Sequence, residues 1–184
     1  KKRKDRYGGD YCEWPAVARE STTVEWSRFV EEIRSRPVVA QLRVGMIGAG
    51  FIGQLAHLMN LVEVERCRVT ALAEARPLLR QQVAVRYGID RTYETHEQLL
   101  KDDAVDAVVV ATARPYTGQI VLDCLNAGKH VLSEKPMAGT VEQGQRLVET
   151  AKAHSMHYAV GYMKRYDEGV QEAKRILDGL IESG

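Results

Sequence analysis

Three closely spaced glycines and one acidic residue form the first group with a chemical use. Residues 42–53 read LRVGMIGAGFIG, so Gly48, Gly50 and Gly53 follow an apolar run in a Gly-x-Gly-x-x-Gly pattern. Glu74 ends a second apolar run 21 positions after Gly53. In such a pattern the glycines suit a tight turn, a close approach of the backbone to pyrophosphate and close helix packing, while the acid accepts hydrogen bonds from ribose hydroxyls. The spacing therefore predicts a dinucleotide site, with the phosphates at a helix N-terminus.

This glycine pattern binds phosphates where a strand, a tight turn and a helix follow one another, and the flanking sequence predicts those elements. Residues 42–47 are β-like, residues 51–61 carry apolar residues at helical spacing, and residues 68–73 are β-like again. The alternation predicts further strands over 104–111, 130–133 and 158–161, and further helices over 77–87, 97–101, 116–127, 140–154 and 167–181. It indicates an α/β fold with a Rossmann-type, doubly wound parallel sheet.

The first forty residues do not belong to this alternation. They contain one predicted amphipathic helix over 22–35, which Arg36-Pro37 ends. We therefore divide the chain into three parts. These are an N-terminal extension or tail of a preceding domain over 1–40, a dinucleotide-binding domain over 41–165, and a crossing helix over 166–184.

Composition argues against several classes of partner. The 184 residues include 26 Lys and Arg and 25 Asp and Glu, so no global basic field favours nucleic acid. No apolar run approaches the ~18–20 residues of a membrane span, and we expect no membrane partner. The cysteines are few and scattered, without a zinc or disulfide pattern, and this predicts a cytoplasmic location: Cys12, Cys67 and Cys124.

The histidines offer little chemistry by their spacing. His154 and His157 are three positions apart, but no third ligand of suitable spacing is near, so we expect no metal site. His57 and His130 are assigned to packing.

The order of motifs resembles the Gfo/Idh/MocA oxidoreductases, over about three quarters of the chain. The segments that carry the resemblance are GAGFIG, the strand ending in Glu74, VDAVVVAT, LNAGKHVLSEKPMAGT and VGYMKRYD. In this family the AGKHVLSEKP stretch brings a Glu-Lys-Pro tripeptide to the nicotinamide end of the cofactor. The resemblance implies NAD(P)-dependent hydride transfer to or from a sugar, cyclitol or related polyol.

The resemblance also implies roles for individual residues. The pyrophosphate would be held by Gly48, Gly50, Phe51, Ile52 and Gly53. Glu74 would contact the adenosine ribose, and Thr112 would lie beside the cofactor. Glu134 would contact the nicotinamide ribose, Lys135 would reach the substrate hydroxyl and handle its proton, and Arg165 would lie near the nicotinamide.

The cofactor choice rests on charge. An ionised Glu74 accepts hydrogen bonds from free ribose hydroxyls and repels a 2′-phosphate, so NAD is expected over NADP. Arg76 and Arg80 follow closely and could pair with that phosphate. Dual specificity is therefore the alternative.

This chain departs from the family pattern in two ways. Ala113-Arg114 and Thr117 stand where the family often has Pro-Asn and a histidine. Family members also continue into a β domain that shapes the substrate pocket, supplies an aspartate and a histidine, and would carry any homo-oligomer contact. We therefore expect a fragment of a longer enzyme that is inactive alone. The alternative is a non-catalytic NAD(P)-binding or regulatory module.

Overall fold

A computed structural model of the chain describes residues 41–182, and its centre is a six-stranded parallel sheet. The strands are β1 (Leu42–Ile47), β2 (Cys67–Ala73), β3 (Arg91–Tyr93), β4 (Ala107–Val110), β5 (His130–Ser133) and β6 (Tyr158–Val160). Their spatial order is β3-β2-β1-β4-β5-β6, and every neighbouring pair is parallel. The predicted doubly wound parallel sheet is confirmed. Because the chain reverses its winding direction between β1 and β4, a ligand crevice is expected at the carboxyl ends of these strands.

Helices connect the strands on both faces of the sheet. They are α1 (51–61), α2 (Pro77–Tyr87), α3 (His96–Leu100), α4 (Arg114–Asn126), α5 (Val141–Ala153) and α6 (Glu168–Glu182). A single 3₁₀ turn, Met163–Tyr166, precedes α6 within the described residues. Successive residues of a strand point to opposite faces, so Met46 packs in one apolar cluster and Ile47 in the other. Both faces of the sheet are therefore buried under helices.

The two clusters draw on different helices. Leu58 of α1 and Val83 of α2 pack against one face, whereas Leu99 of α3, Val121 of α4 and Leu147 of α5 pack against the other. These five side chains are at most 1% exposed. Each contributes about 1.5–3 kcal/mol through burial of its apolar surface. The sheet that positions the strand ends is thus held rigidly from both sides.

Helix ends follow local chemistry. Thr95 and Gln98 form a capping box at α3, and the Thr140 hydroxyl accepts the Gln143 N–H at the start of α5. Thr140 and Gln143 form only half of a capping box, because Gln143 Oε1 accepts the N–H of Gly139 rather than that of Thr140. Gly128 follows α4 with φ of +69°, the left-handed conformation that ends many helices.

Helix α1 contains a π-helical turn over Gly53–Leu58, in which the N–H of Met59 donates to the carbonyl of Gln54, five residues earlier. In an α-helix, residues five apart lie about 140° apart around the axis, whereas a π-turn brings them to one side. Gly53 and Leu58 are both buried and both face the sheet for this reason. The helix predicted over 51–61 is confirmed in extent, but the prediction of regular α-helical spacing along it is wrong.

Other differences between prediction and structure concern short elements. The strand predicted over 104–111 is limited to Ala107–Val110. Strand β3 was not predicted, because it has three residues, two of them exposed and polar. The helix predicted over 22–35 lies outside the described residues.

Candidate dinucleotide site

The first glycine makes the turn that follows β1. Gly48 has φ of +87°, and a Cβ atom there would lie 2.5 Å from the carbonyl oxygen of Ala111. Its N–H donates to the carbonyl of Ala73 over 2.8 Å, so the turn remains joined to the end of β2. A side chain at this position would both strain the backbone and collide with the β4 end, which accounts for glycine.

The second and third glycines have different surroundings. A Cβ atom at Gly53 would overlap the carbonyl of Gly48, so only glycine lets α1 pack this closely on the turn. A Cβ atom at Gly50 would meet only the Nη2 atom of Arg76, at 3.9 Å. The space outside Gly50 is therefore open, which is the cradle that an approaching pyrophosphate needs. Phe51 and Ile52 begin α1 with exposed side chains, 75% and 44% accessible.

Glu74 follows β2 and is buried, with 6% of its surface exposed. Its Oε2 accepts the N–H of Ala49 over 2.9 Å, which joins the acidic strand end to the glycine turn. Arg76 donates to both carboxylate oxygens, from Nε to Oε1 over 2.8 Å and from Nη2 to Oε2 over 3.0 Å. Burial opposes the charge, but the hydrogen bonds from Arg76 and from the Ala49 amide prevail and lower the pKa of Glu74 to about 2. The carboxylate is thus ionised at neutral pH.

A cleft of about 750 Å³ opens in front of these residues. Its walls come from the glycine turn and from the loops that follow β2, β3 and β4. Glu74 and Thr112 line it, and Thr112 Oγ1 lies 3.2 Å from Thr117 Oγ1. His96 also lines the cleft, and its Nε2 lies 3.0 Å from Oδ2 of Asp123. The cleft is large enough and polar enough at its edges for a nucleoside.

Glu134 follows β5 and has a partner that the sequence did not indicate. Its Oε1 lies 2.9 Å from Nε2 of His57 on α1. The assignment of His57 to packing is therefore wrong, because its ring contacts this carboxylate. The signal available was its place on the helix that begins at the glycine turn, but its partner lies 77 positions away in the chain.

Lys135 and Arg165 share a cavity beyond Glu134. It measures about 450 Å³ and is also lined by Gly161, Tyr162 and Lys164. Lys135 is exposed, and its peptide bond to Pro136 is cis. Nine of the ten predicted site residues thus lie at the glycine turn, in the cleft beside it or in this second cavity, and Glu134 lies next to Gly161 at the edge of that cavity. Arg114, which departs from the family pattern, is exposed at the start of α4.

The remaining histidines show no such grouping. His130 packs against His157 with ring centroids 5.1 Å apart, and His154 is exposed. Between residues 41 and 182, no cluster of three or more His, Cys, Asp or Glu side chains is arranged to hold a metal ion. Over the same residues, no helix is both long and apolar enough to span a membrane.

Known proteins are similar to this chain in sequence and in fold. The Gfo/Idh/MocA model, an oxidoreductase family with an NAD-binding Rossmann fold, matches residues 42–162. Inositol 2-dehydrogenase/D-chiro-inositol 3-dehydrogenase of Shouchella clausii is 38% identical over 140 residues, which are 74% of this chain and 40% of that protein.

Two solved structures are also similar. Scyllo-inositol dehydrogenase from Lactobacillus casei, with NAD(H) and scyllo-inositol, has a TM-score of 0.69 at 24% identity, covering 76% of this chain and 41% of that one. KijD10, a 3-ketoreductase from Actinomadura kijaniata in complex with TDP-benzene and NADP, has a TM-score of 0.69 at 29% identity, covering 76% and 44%.

The strand order, the glycine turn and the buried acid at the end of β2 define a dinucleotide-binding Rossmann domain. The chain belongs to the Gfo/Idh/MocA oxidoreductase family, and it carries that family's NAD-binding fold. It spans about two fifths of the length of the curated relatives that it matches.

Proposed function

We propose that this chain binds NAD(H) and takes part in hydride transfer between the nicotinamide and a hydroxyl carbon of a sugar, cyclitol or related polyol. The observation that carries the proposal is a row of strand ends. Ala73, Ile47, Val110 and Ser133 are register partners across β2, β1, β4 and β5. The residues that follow them therefore form a second row at the carboxyl edge of the sheet.

The residues of that second row follow the order of the chemical groups in a dinucleotide. Glu74 stands at one end, Gly48 and the glycine turn stand next to it, and Glu134 stands at the other end. Strands in a sheet are about 4.8 Å apart, so the two acids are separated by roughly 14 Å along the row. A ribose at each acid and a pyrophosphate over the glycine turn would follow the same sequence of groups. The fold places ligands at this edge generally.

The residues fit the cofactor at both ends. Gly50 leaves the space that the phosphates need, and the free N–H groups at the start of α1 would face them. Glu74 would accept hydrogen bonds from the adenosine ribose, and Glu134 from the nicotinamide ribose. When bound, the nicotinamide ring accepts or gives the hydride; the protein orients the reactants and handles the proton.

Lys135 is the residue we assign to the proton. Its ammonium group can give a proton to a carbonyl oxygen, and the neutral amine can take one from a hydroxyl. It lines the cavity that lies next to Glu134, with Arg165 on the same wall. A substrate hydroxyl placed there would lie between the lysine and the nicotinamide end of the row. The names of the relatives support a cyclitol or a related polyol as the substrate.

Several narrower statements stay predictions. They are the domain boundaries near residues 40 and 165, the cytoplasmic location, the individual roles of the ten site residues, a homo-oligomer and the lack of nucleic-acid or membrane partners.

The test uses the complete natural protein that contains this chain. NADH formation is followed with myo-inositol, scyllo-inositol and D-glucose, for the wild type and for Lys135→Met. We expect Lys135→Met to lower kcat by roughly 10²–10⁴-fold, with little change in the Kd of NADH. Lys152→Met, at an exposed lysine on α5, is the matched control and should leave turnover unchanged. Near-normal turnover in Lys135→Met would assign proton transfer to another group, and NADH binding without turnover of any polyol would favour the non-catalytic module.

A further inference from the structure

We propose that His57 is a positioning residue: it orients the Glu134 carboxylate toward the ribose on the nicotinamide side of a bound dinucleotide. This inference rests on the proposed function, because it assumes that Glu134 meets that ribose. It adds a residue outside the glycine turn and outside the Glu-Lys-Pro tripeptide to the binding machinery.

His57 and Glu134 are in direct contact. His57 Nε2 and Glu134 Oε1 are 2.9 Å apart, and the two side chains are 12% and 19% exposed. The imidazole can therefore donate Nε2–H to the carboxylate in a largely water-free setting. Between residues 41 and 182, no group donates to Oε2 of Glu134. One carboxylate oxygen is thus held by the protein and the other is available to a ligand hydroxyl.

Both partners also stand on rigid supports. The N–H of Glu134 donates to the carbonyl of Val110 over 3.0 Å, so the residue continues the β4–β5 pairing. His57 precedes the fully buried Leu58 in the π-turn of α1. Because both backbones are fixed, the side-chain torsions of Glu134 are the main conformational freedom left in the pair. The hydrogen bond from His57 removes that freedom.

His57 lies within the π-turn of α1. Single π-turns within α-helices are uncommon and occur frequently at functional sites. This turn begins at Gly53, which packs on the glycine turn, and its five-residue hydrogen bond spans His57. The same short segment therefore sets both the phosphate end of the site and the group that contacts Glu134. A bound dinucleotide would meet both.

The expected consequence is selective. Without His57, the Glu134 side chain keeps its length but must be ordered when the ligand binds. Ordering one such side chain corresponds to a loss of roughly three- to tenfold in affinity. That loss should appear only for ligands that carry the second ribose. A general defect of folding would weaken every nucleotide ligand alike.

The test compares ADP-ribose with ADP by isothermal titration calorimetry on the 184-residue chain. ADP-ribose contains the second ribose and ADP ends at the second phosphate. We expect His57→Ala to weaken ADP-ribose roughly three- to tenfold and to leave the Kd of ADP unchanged. His57→Gln keeps an N–H donor at a similar reach and should recover most of the affinity. His130→Ala, at the opposite end of β5, is the matched control and should change neither ligand.

The outcomes separate this inference from the function on which it rests. If the wild type binds neither ligand, the proposed function fails and the inference fails with it. If the wild type binds both and His57→Ala weakens both equally, or neither, His57 does not position Glu134 and the inference alone is overturned. If His57→Ala does not fold, Glu134→Ala and His57→Gln are compared. His57→Gln should still bind ADP-ribose more tightly than ADP, whereas Glu134→Ala should lose this difference in Kd. If the difference is unchanged in Glu134→Ala, the proposal is overturned.

Discussion

Arg76 holds both oxygens of the Glu74 carboxylate, at 2.8 and 3.0 Å, while 64% of its own side chain remains exposed. The acid that is expected to recognise the adenosine ribose is therefore already paired. Its partner is the arginine that could recognise a 2′-phosphate instead. The sequence predicts that Arg76 could pair with such a phosphate, whereas in the structure its guanidinium is bound to Glu74. We therefore expect the balance between these two side chains to decide the choice of cofactor.

We predict that the chain binds NADH more tightly than NADPH, by roughly tenfold. Two unit charges about 4 Å apart interact by ~1 kcal/mol in water and ~4 kcal/mol at an effective dielectric of 20. Arg76 neutralises part of the Glu74 charge, so we expect a value at the lower end of that range. Fluorescence titration with each cofactor measures the ratio. Equal or tighter binding of NADPH by the wild type would mean that Arg76 dominates.

Two variants resolve the contributions. Glu74→Ser frees Arg76 and removes the repulsive carboxylate, so NADPH should gain relative to NADH. Arg76→Ala removes the cation, so the preference for NADH should widen. A ratio that moves in the same direction in both variants would show that the pair does not control the choice.

We predict an acid-sensitive contribution of Glu74 to stability. The pKa of Glu74 is about 2 in the folded chain against an ordinary value of 4.5. A lowered folded-state pKa stabilises the fold above the unfolded-state value, and this contribution is lost as the pH falls from about 4.5 toward 2. The shift corresponds to about 3 kcal/mol at neutral pH. Urea unfolding of wild type and Glu74→Gln should therefore differ most at pH 7 and progressively less below pH 4.5.

An exposed ion pair provides the control. Glu172 pairs with Arg175 on α6, where both side chains are more than half exposed. Glu172→Gln should not reproduce the pH-dependent loss, because exposed pairs contribute little. A Glu74→Gln difference that is constant from pH 7 to pH 2.5 would contradict the assignment of this carboxylate as ionised and paired.

We predict that Gly50→Val and Gly53→Ala fail in different ways. Gly50 has open space where its side chain would be, so Gly50→Val should fold normally and lose NADH affinity roughly a hundredfold or more, because it fills the phosphate cradle. Gly53 touches the Gly48 carbonyl, so Gly53→Ala should cost about 1–3 kcal/mol of stability, or roughly 3–10 °C in Tm. Thermal melts and NADH titrations separate the two effects. Undiminished NADH affinity in Gly50→Val would contradict the dinucleotide assignment.

The sequence predicts those strands, helices and turns that are determined by local patterns. Strands β1 and β5 and helix α2 match their predicted bounds, since each is a short apolar or periodic run between clear turn residues. The glycine turn and Glu74 were found because each position has a separate steric or charge requirement that few other residues meet.

The contacts that were not predicted are those between distant parts of the chain. His57 and Glu134 are 77 positions apart, and only the strand order brings α1 beside the end of β5. The π-turn depends on Gly53 and Leu58 both meeting the sheet, which is a tertiary requirement. Strand β3 has too few residues to show a period. These features are therefore determined by tertiary packing, which local sequence patterns do not reveal.

The most direct test of the central claim is an NADH titration of the ¹⁵N-labelled chain, followed by two-dimensional NMR. We predict saturable shifts of the amide signals of Gly48, Gly50 and Gly53, and of Glu74 and Glu134, because the glycine turn and the two acids lie together at the carboxyl edge of the sheet. The amides of Gly88 and Gly128, in turns that precede strands β3 and β5, should not move. An unchanged spectrum at saturating NADH, or shifts confined to Gly88, Gly128 and their neighbours, would contradict the account.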